Sequence, residues 1–147
     1  PTEVAPGLSY GEALLAPKPL YSPITEALAR AGITPHYSAN ITGHGWRKLL
    51  RHPKALTYRI IDVPPVPKVL AFIAQHAGHD AQEAYSTFNM GAGFALFVGA
   101  ADAQRCVGVA RAKGIDAWVA GRVEAGPKQL LIEPLALRFG DDALNLR

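Results

Sequence analysis

A chain of 147 residues, 49% hydrophobic and 18% charged, has the size and apolar content of one globular domain with a well-supplied core. Its net charge of +3 is mild and scattered, which argues against nucleic acid as a partner, and no apolar run approaches the ~20 residues of a membrane span. A single cysteine, Cys106, excludes an intrachain disulfide and fits a reducing, cytoplasmic compartment.

In chain order, residues 1–19 carry four prolines and two glycines among small apolar residues, and read as an incoming linker or edge segment rather than a helix. Residues 20–147 would then form the domain proper. Ser22 and Pro23 read as N-cap and first helical residue, with Ile24, Ala27 and Leu28 at helical spacing up to Gly32. The stretch from Thr34 to Ile41 predicts a short strand, and residues 46–51 a brief helix ended by His52-Pro53. Leu56 to Ile61 alternates and is rich in β-formers, predicting a strand. Lys68 to Ala77 predicts a helix whose buried face is Val69, Leu70, Phe72 and Ile73, and residues 80–85 a further helical turn. Phe94 to Val98 has the continuous apolar character of a strand covered on both faces. Ala101 to Lys113 is the clearest helix, closed by Gly114, and Cys106 falls on its apolar face. Ala117–Ala120 and Gln129–Ile132 predict two more strands, and the tail ends with an apolar pair, Leu144 and Leu146. Helices alternating with strands predict a sheet layered with helices.

One stretch organises this pattern: Ala39-Asn40-Ile41-Thr42-Gly43-His44-Gly45-Trp46-Arg47-Lys48-Leu49-Leu50. It reads as a strand end, a glycine-punctuated turn and the start of a basic helix. Glycines allow close approach of the backbone to a ligand, and a helix start offers unpaired N–H groups, so the stretch has the chemistry of a phosphate cradle. Its spacing is neither the dinucleotide fingerprint nor the P-loop. The densest basic cluster, Arg47, Lys48 and Arg51 with His52, follows at once. A second glycine-flanked stretch, Ser86-Thr87-Phe88-Asn89-Met90-Gly91-Ala92-Gly93, lies downstream.

Asn40 to Gly45 resembles the His-Ile-Thr-Gly-Gly-Gly motif of aminoimidazole ribonucleotide synthetase, also called phosphoribosylformylglycinamidine cyclo-ligase. Thr87-Phe88-Asn89-Met90-Gly91 resembles the same family's Arg-Thr-Phe-Asn-Met-Gly motif. Gly11 to Pro17 with Tyr21, and Ala117 to Val123, match two further segments in the right order. The resemblance covers nearly the whole chain but only the C-terminal half of the enzyme. It implies a three-layer α/β/α sandwich of the α+β or α/β class, partly ferredoxin-like. It further implies an N-terminal domain outside this chain that carries the main ATP and magnesium ligands, a homodimer in the complete protein, and no turnover by this part alone.

On that resemblance the phosphorylated ribonucleotide would be held by Asn40, Thr42, Gly43, Gly45, Thr87, Asn89 and Gly91. Gly43 and Gly45 would expose backbone N–H groups, Thr42 and Thr87 would donate hydroxyls, and Asn89 would supply an amide. Three positions depart from the family: Asn40 replaces its histidine, His44 its middle glycine, and Ser86 its arginine. His44 could restore the imidazole missing at position 40 and serve as a catalytic group. Alternatively the chain is a diverged paralogue with another substrate or none. Other superfamily activities stay open, among them thiamine-monophosphate kinase, selenophosphate synthetase and a hydrogenase-maturation protein, as does a non-catalytic nucleotide- or phosphate-binding module.

The remaining polar residues point to no metal site. His76, His79 and Asp80 read as a solvent-facing helix end, lacking further ligands, and Asp141-Asp142 as solvated carboxylates. Phe88, Phe94 and Phe97 are expected in the core.

Overall fold

The computed structural model describes residues 2–144, with side chains to Asp142; Leu146 and the side chain of Leu144, the expected terminal apolar pair, lie outside that description. Its first elements are a hairpin and a helix: β1 (Glu3–Ala5) pairs antiparallel with β2 (Leu8–Ser9), and α1 (Tyr10–Leu15) follows directly. This corrects the expectation that residues 1–19 hold no helix. The Ser9 hydroxyl accepts from the Glu12 N–H while the Glu12 carboxylate accepts from the Ser9 N–H. That reciprocal capping box outweighs the flanking prolines. The ring of Tyr10 docks on Phe72, centroids 5.6 Å apart, whereas Leu15 and Leu20 stay exposed.

Helix α2 (Ser22–Arg30) starts one residue earlier than expected, with Tyr21 in the capping position and Ser22 already helical. After it come β3 (Tyr37–Asn40), β4 (Leu56–Ile60), α3 (Lys68–His76), α4 (Ala81–Thr87), β5 (Phe94–Phe97), α5 (Ala103–Ala112), β6 (Gly121–Ala125), β7 (Gln129–Ile132) and β8 (Leu137–Gly140). Between β3 and β4 runs a seven-residue 3-10 helix, Gly45–Arg51. The fold is a mixed α+β one.

The strands form separate sheets. β3 and β5 pair antiparallel, Tyr37 opposite Phe97 and Asn40 opposite Phe94. The larger sheet has the order β6-β4-β7-β8; β4 lies antiparallel to β6 and parallel to β7, and β7 antiparallel to β8. The strand expected at Ala117–Ala120 begins instead at Gly121. Pairing reaches back only to the Ala120 carbonyl, which accepts from the Ile61 and Asp62 N–H groups. Upstream of it the Ala117 carbonyl accepts from Arg111 Nε at 2.9 Å, and Trp118 Nε1 donates to the Asp62 carbonyl at 3.3 Å, so these contacts run through the Arg111 and Trp118 side chains rather than through strand pairing.

The core has two parts. The larger holds Trp46, Leu49 and Leu50 against Tyr58, Ile60, Leu130, Ile132 and Phe139 of the four-stranded sheet, closed by Ala74 of α3 and by Ala84 and Tyr85 of α4. The smaller joins Ile24 and Leu28 of α2 to Cys106 and Ala110 of α5. β5 separates them, Ala95 and Phe97 packing on the larger cluster and Leu96 on the smaller, as its uninterrupted apolar run predicts. Phe88 and Phe97 sit half-buried against the larger cluster, while Phe94 stacks on Tyr21 at 5.0 Å.

Candidate functional site

The glycine turn is held at both ends. On the β3 side the Ile41 N–H donates to the Gly93 carbonyl at 2.9 Å, and the Gly45 N–H closes the turn on the Thr42 carbonyl at 2.9 Å. On the other side Trp46 is 2% exposed and anchors the 3-10 helix in the core with Leu49 and Leu50. A seven-residue 3-10 helix whose first N–H is already bonded gives no helix-start anion site, so the cradle expected from a helix start is not what forms. What remains at the turn is side-chain chemistry.

His44 enters the helix with φ 135° and ψ 5°, a region that L-residues rarely adopt. Holding a non-glycine residue there costs on the order of 1–3 kcal/mol. Its N–H donates to the Thr87 carbonyl at 3.4 Å, which places Thr87 and Ser86 beside the turn. The imidazole is held below its ordinary pKa by loss of solvent first, then by the positive charges of Arg51, Arg47 and Lys48. Lys48 Nζ donates to the Thr42 hydroxyl. Burial, then Arg51, holds the Lys48 ammonium below its ordinary pKa as well. Arg47 Nε donates to the Ser86 carbonyl at 3.0 Å and ties the helix to the end of α4.

Gly45 and Gly91 have structural duties. A Cβ on Gly45 (φ +52°) would collide with the carbonyls of Tyr85 and Phe88, and one on Gly91 (φ +104°) would lie 2.7 Å from the Pro65 carbonyl. Gly45 is the close contact between the turn and α4, and Gly91 the contact between its loop and the proline run. Gly43, by contrast, has open space where its Cβ would stand. The Asn89 side chain accepts from the Gly91 N–H at 3.0 Å, and its carbonyl accepts from Trp46 Nε1 at 2.8 Å.

The structure therefore gathers Thr42, Gly43, His44 and Thr87 at one exposed turn, with Lys48 bonded to it. Asn40 is exposed at the end of β3, opposite Phe94. Asn89 and Gly91 sit half-buried in the supporting loop. The sequence marks Lys48 only as part of a basic cluster; its bond to Thr42 singles it out. The neighbouring groove, about 860 Å³, has walls that include Tyr58, Phe94 and Phe97, with Arg122 as the cation in its lining.

Among the described residues no group of three or more His, Cys, Asp or Glu side chains converges as a metal site would require. His76 bonds the Phe72 carbonyl at 2.9 Å, and Asp80 caps α4. His79 is not solvent-facing as expected: it is half-buried, stacks on Phe88 and encloses an Nδ1 without a partner. Asp141 pairs with Lys128 at 3.1 Å.

The family model described as "AIR synthase related protein, C-terminal domain" matches residues 55–132. The chain belongs to that family. The matched AIR synthase-related segment runs from the start of β4 to the end of β7, so it contains α4 and the Thr87–Gly91 loop, while the glycine turn precedes it. Phosphoribosylformylglycinamidine cyclo-ligase of Methanococcus maripaludis (strain C6) is 34% identical over 125 residues, covering 84% of this chain and 35% of that protein. The enzyme of the same name from Lachnospira eligens is 33% identical over 127 residues, covering 83% and 37%, and that from Methanocaldococcus jannaschii 36% identical over 121 residues, covering 79% and 35%. The chain thus spans about a third of the length of these relatives. No helix among its described residues is long and apolar enough to cross a membrane.

Proposed function

We propose that this chain is the C-terminal, substrate- and phosphate-binding domain of an ATP-dependent enzyme of the cyclo-ligase type, acting in purine biosynthesis in the cytoplasm and inactive by itself. The observation that carries the reading is the exposed Thr42–Gly43–His44 turn, faced by Thr87 and bonded to Lys48, at the place where the sequence resembles the ribonucleotide-binding motif. An anionic phosphoryl group fits hydroxyl donors beside clustered cations in a partly desolvated site.

In this reading Thr42 and Thr87 donate hydroxyls to the ligand's phosphate, and Gly43 leaves room for it to approach the backbone. Asn40, at the end of the adjacent strand, lies on the flank of the ligand. Gly45, Asn89 and Gly91 contribute by fixing the two loops against each other. His44 holds an imidazole over the turn at a cost in backbone strain, and as a neutral base near pH 7 it could accept a proton from the reacting amidine. In this reading, as the family resemblance implies, the Mg2+ and the main ATP contacts belong to an N-terminal domain of the complete protein, which is a homodimer.

The test titrates the complete protein with ATP and formylglycinamidine ribonucleotide and follows phosphate release. Release dependent on both supports the reading; release with ATP and a different acceptor favours another member of the superfamily, to which the departures at Asn40, His44 and Ser86 would then belong. Ligand binding without release favours a nucleotide- or phosphate-binding module.

A further inference from the structure

We infer that Lys48 is the phosphate-recognising cation of this site, that the Thr42 hydroxyl positions it, and that with Arg51 it selects a phosphate monoester dianion. The inference rests on the phosphate reading above and names the residue that confers it. Lys48 bonds the hydroxyl of the turn, so its ammonium stands at Thr42 rather than free in solvent. Among the described residues neither Lys48 nor Arg51 forms an ion pair with a carboxylate, although six ion pairs occur elsewhere.

The sequence enforces this lack of counter-charge. No aspartate or glutamate occurs between Glu26 and Asp62, while Arg47, Lys48, Arg51 and Lys54 fall within that interval. Across the turn, Glu83 is the acidic residue of α4 nearest to Ser86, and its carboxylate is committed to the Asp80 N–H at the opposite end of the helix. Beyond β8, the 3-10 segment Asp141–Leu144 packs against the 3-10 helix that carries Lys48 and Arg51; there Asp141 is paired with Lys128, and Asp142 forms no ion pair with either cation. Lys48, half-buried beside a hydroxyl-lined turn, meets no carboxylate within ion-pair distance among the described residues, and Arg51, exposed on the same 3-10 helix, adds a second positive charge. A doubly charged anion complements both.

Lysine suits the role because its ammonium is a compact charge with three rotatable donors. One N–H is directed to Thr42, leaving two for phosphate oxygens. A diester, with a single negative charge, would gain from Lys48 but leave Arg51 uncompensated. The monoester is preferred for that reason.

The experiment measures binding of ribose 5-phosphate and dimethyl phosphate to the whole polypeptide by titration calorimetry, with Lys48→Met, Lys48→Arg, Arg51→Met and Thr42→Val. The expected result is preference of the unmodified protein for ribose 5-phosphate, a loss of at least about tenfold in Lys48→Met, and recovery of most of it in Lys48→Arg. Arg51→Met should narrow the monoester-to-diester ratio, and Thr42→Val should weaken both ligands about threefold. Unchanged ribose 5-phosphate affinity in Lys48→Met overturns the assignment of Lys48 and leaves the phosphate reading standing. Failure of the unmodified protein to bind ribose 5-phosphate overturns both. Circular dichroism establishes folding of each variant, and Lys48→Arg provides the comparison if Lys48→Met does not fold.

Discussion

Trp46 Nε1 donates to the backbone carbonyl of Asn89 at 2.8 Å across 43 residues of sequence. The bond joins the two glycine-flanked stretches, and it does so through a side chain that is 2% exposed. Trp46→Phe keeps most of the ring volume but leaves that carbonyl without its donor, which should destabilise the fold by about 1–3 kcal/mol. Trp46→Ala adds a cavity and should cost about 3–5 kcal/mol. Urea unfolding followed by far-ultraviolet circular dichroism separates the two; equal midpoints for Phe and Trp would mean the bond contributes nothing.

Two glycines two residues apart in the same turn should behave oppositely. Gly45→Ala meets both a positive φ and the carbonyls of α4, and should cost more than about 2 kcal/mol. Gly43→Ala meets open space and should shift stability by less than about 1 kcal/mol. Thermal midpoints of the paired variants check this, and on the proposed function only Gly43→Ala then serves to probe ligand approach without disturbing the fold.

His44→Gly should raise stability. Removing strain of on the order of 1–3 kcal/mol outweighs the ~0.5–1 kcal/mol of chain entropy that glycine adds to the unfolded state. In the complete enzyme the same change should abolish phosphate release if the imidazole is the catalytic group. A variant that is more stable and fully active would reduce His44 to a tolerated replacement of the family's glycine.

Acid should loosen the four-stranded sheet at its edge. The Glu124 carboxyl of β6 is held below its ordinary value by the hydrogen bond from Arg122 and then by that from Arg59 of β4. A carboxyl with a lowered folded pKa contributes stability above its unfolded value, and that contribution is lost as the pH falls through the folded one. The loss should therefore occur below about pH 4.5, and Glu124→Gln should flatten this part of the pH–stability profile. Denaturant midpoints between pH 6 and 3 measure it; identical slopes for both proteins would refute the linkage.

Elements with strong local signals could be read from the sequence. The apolar run of β5 and the helix through Cys106 formed where expected, because a strand between two cores and a helix with one buried face leave their periodicity in the residues. The Ser9–Glu12 capping box was equally local, but the neighbouring prolines masked it. What could not be read was pairing. Ala117–Ala120 has strand composition, yet Trp118 and Arg111 side chains intercept its surroundings, and such contacts have no sequence period. At the site, the glycine pattern marked the correct turn but not the division of labour, since Gly45 and Gly91 answer to carbonyls of Tyr85 and Pro65 far along the chain. Lys48 was visible as a charge; its bond to Thr42 depends on the tight 3-10 winding between them.

β4 is the strand on which the four-stranded sheet depends, and both of its partners come late in the chain. Leu56 to Ile60 pairs with residues 121–125 on one side and 129–132 on the other. During synthesis residues 56–60 leave the ribosome long before either partner strand exists, and loop closure over that distance makes such pairing slow. Until β6 arrives both edges of β4 stand open, and until β7 one still does; this interval is when the nascent chain would be most prone to mispairing and aggregation.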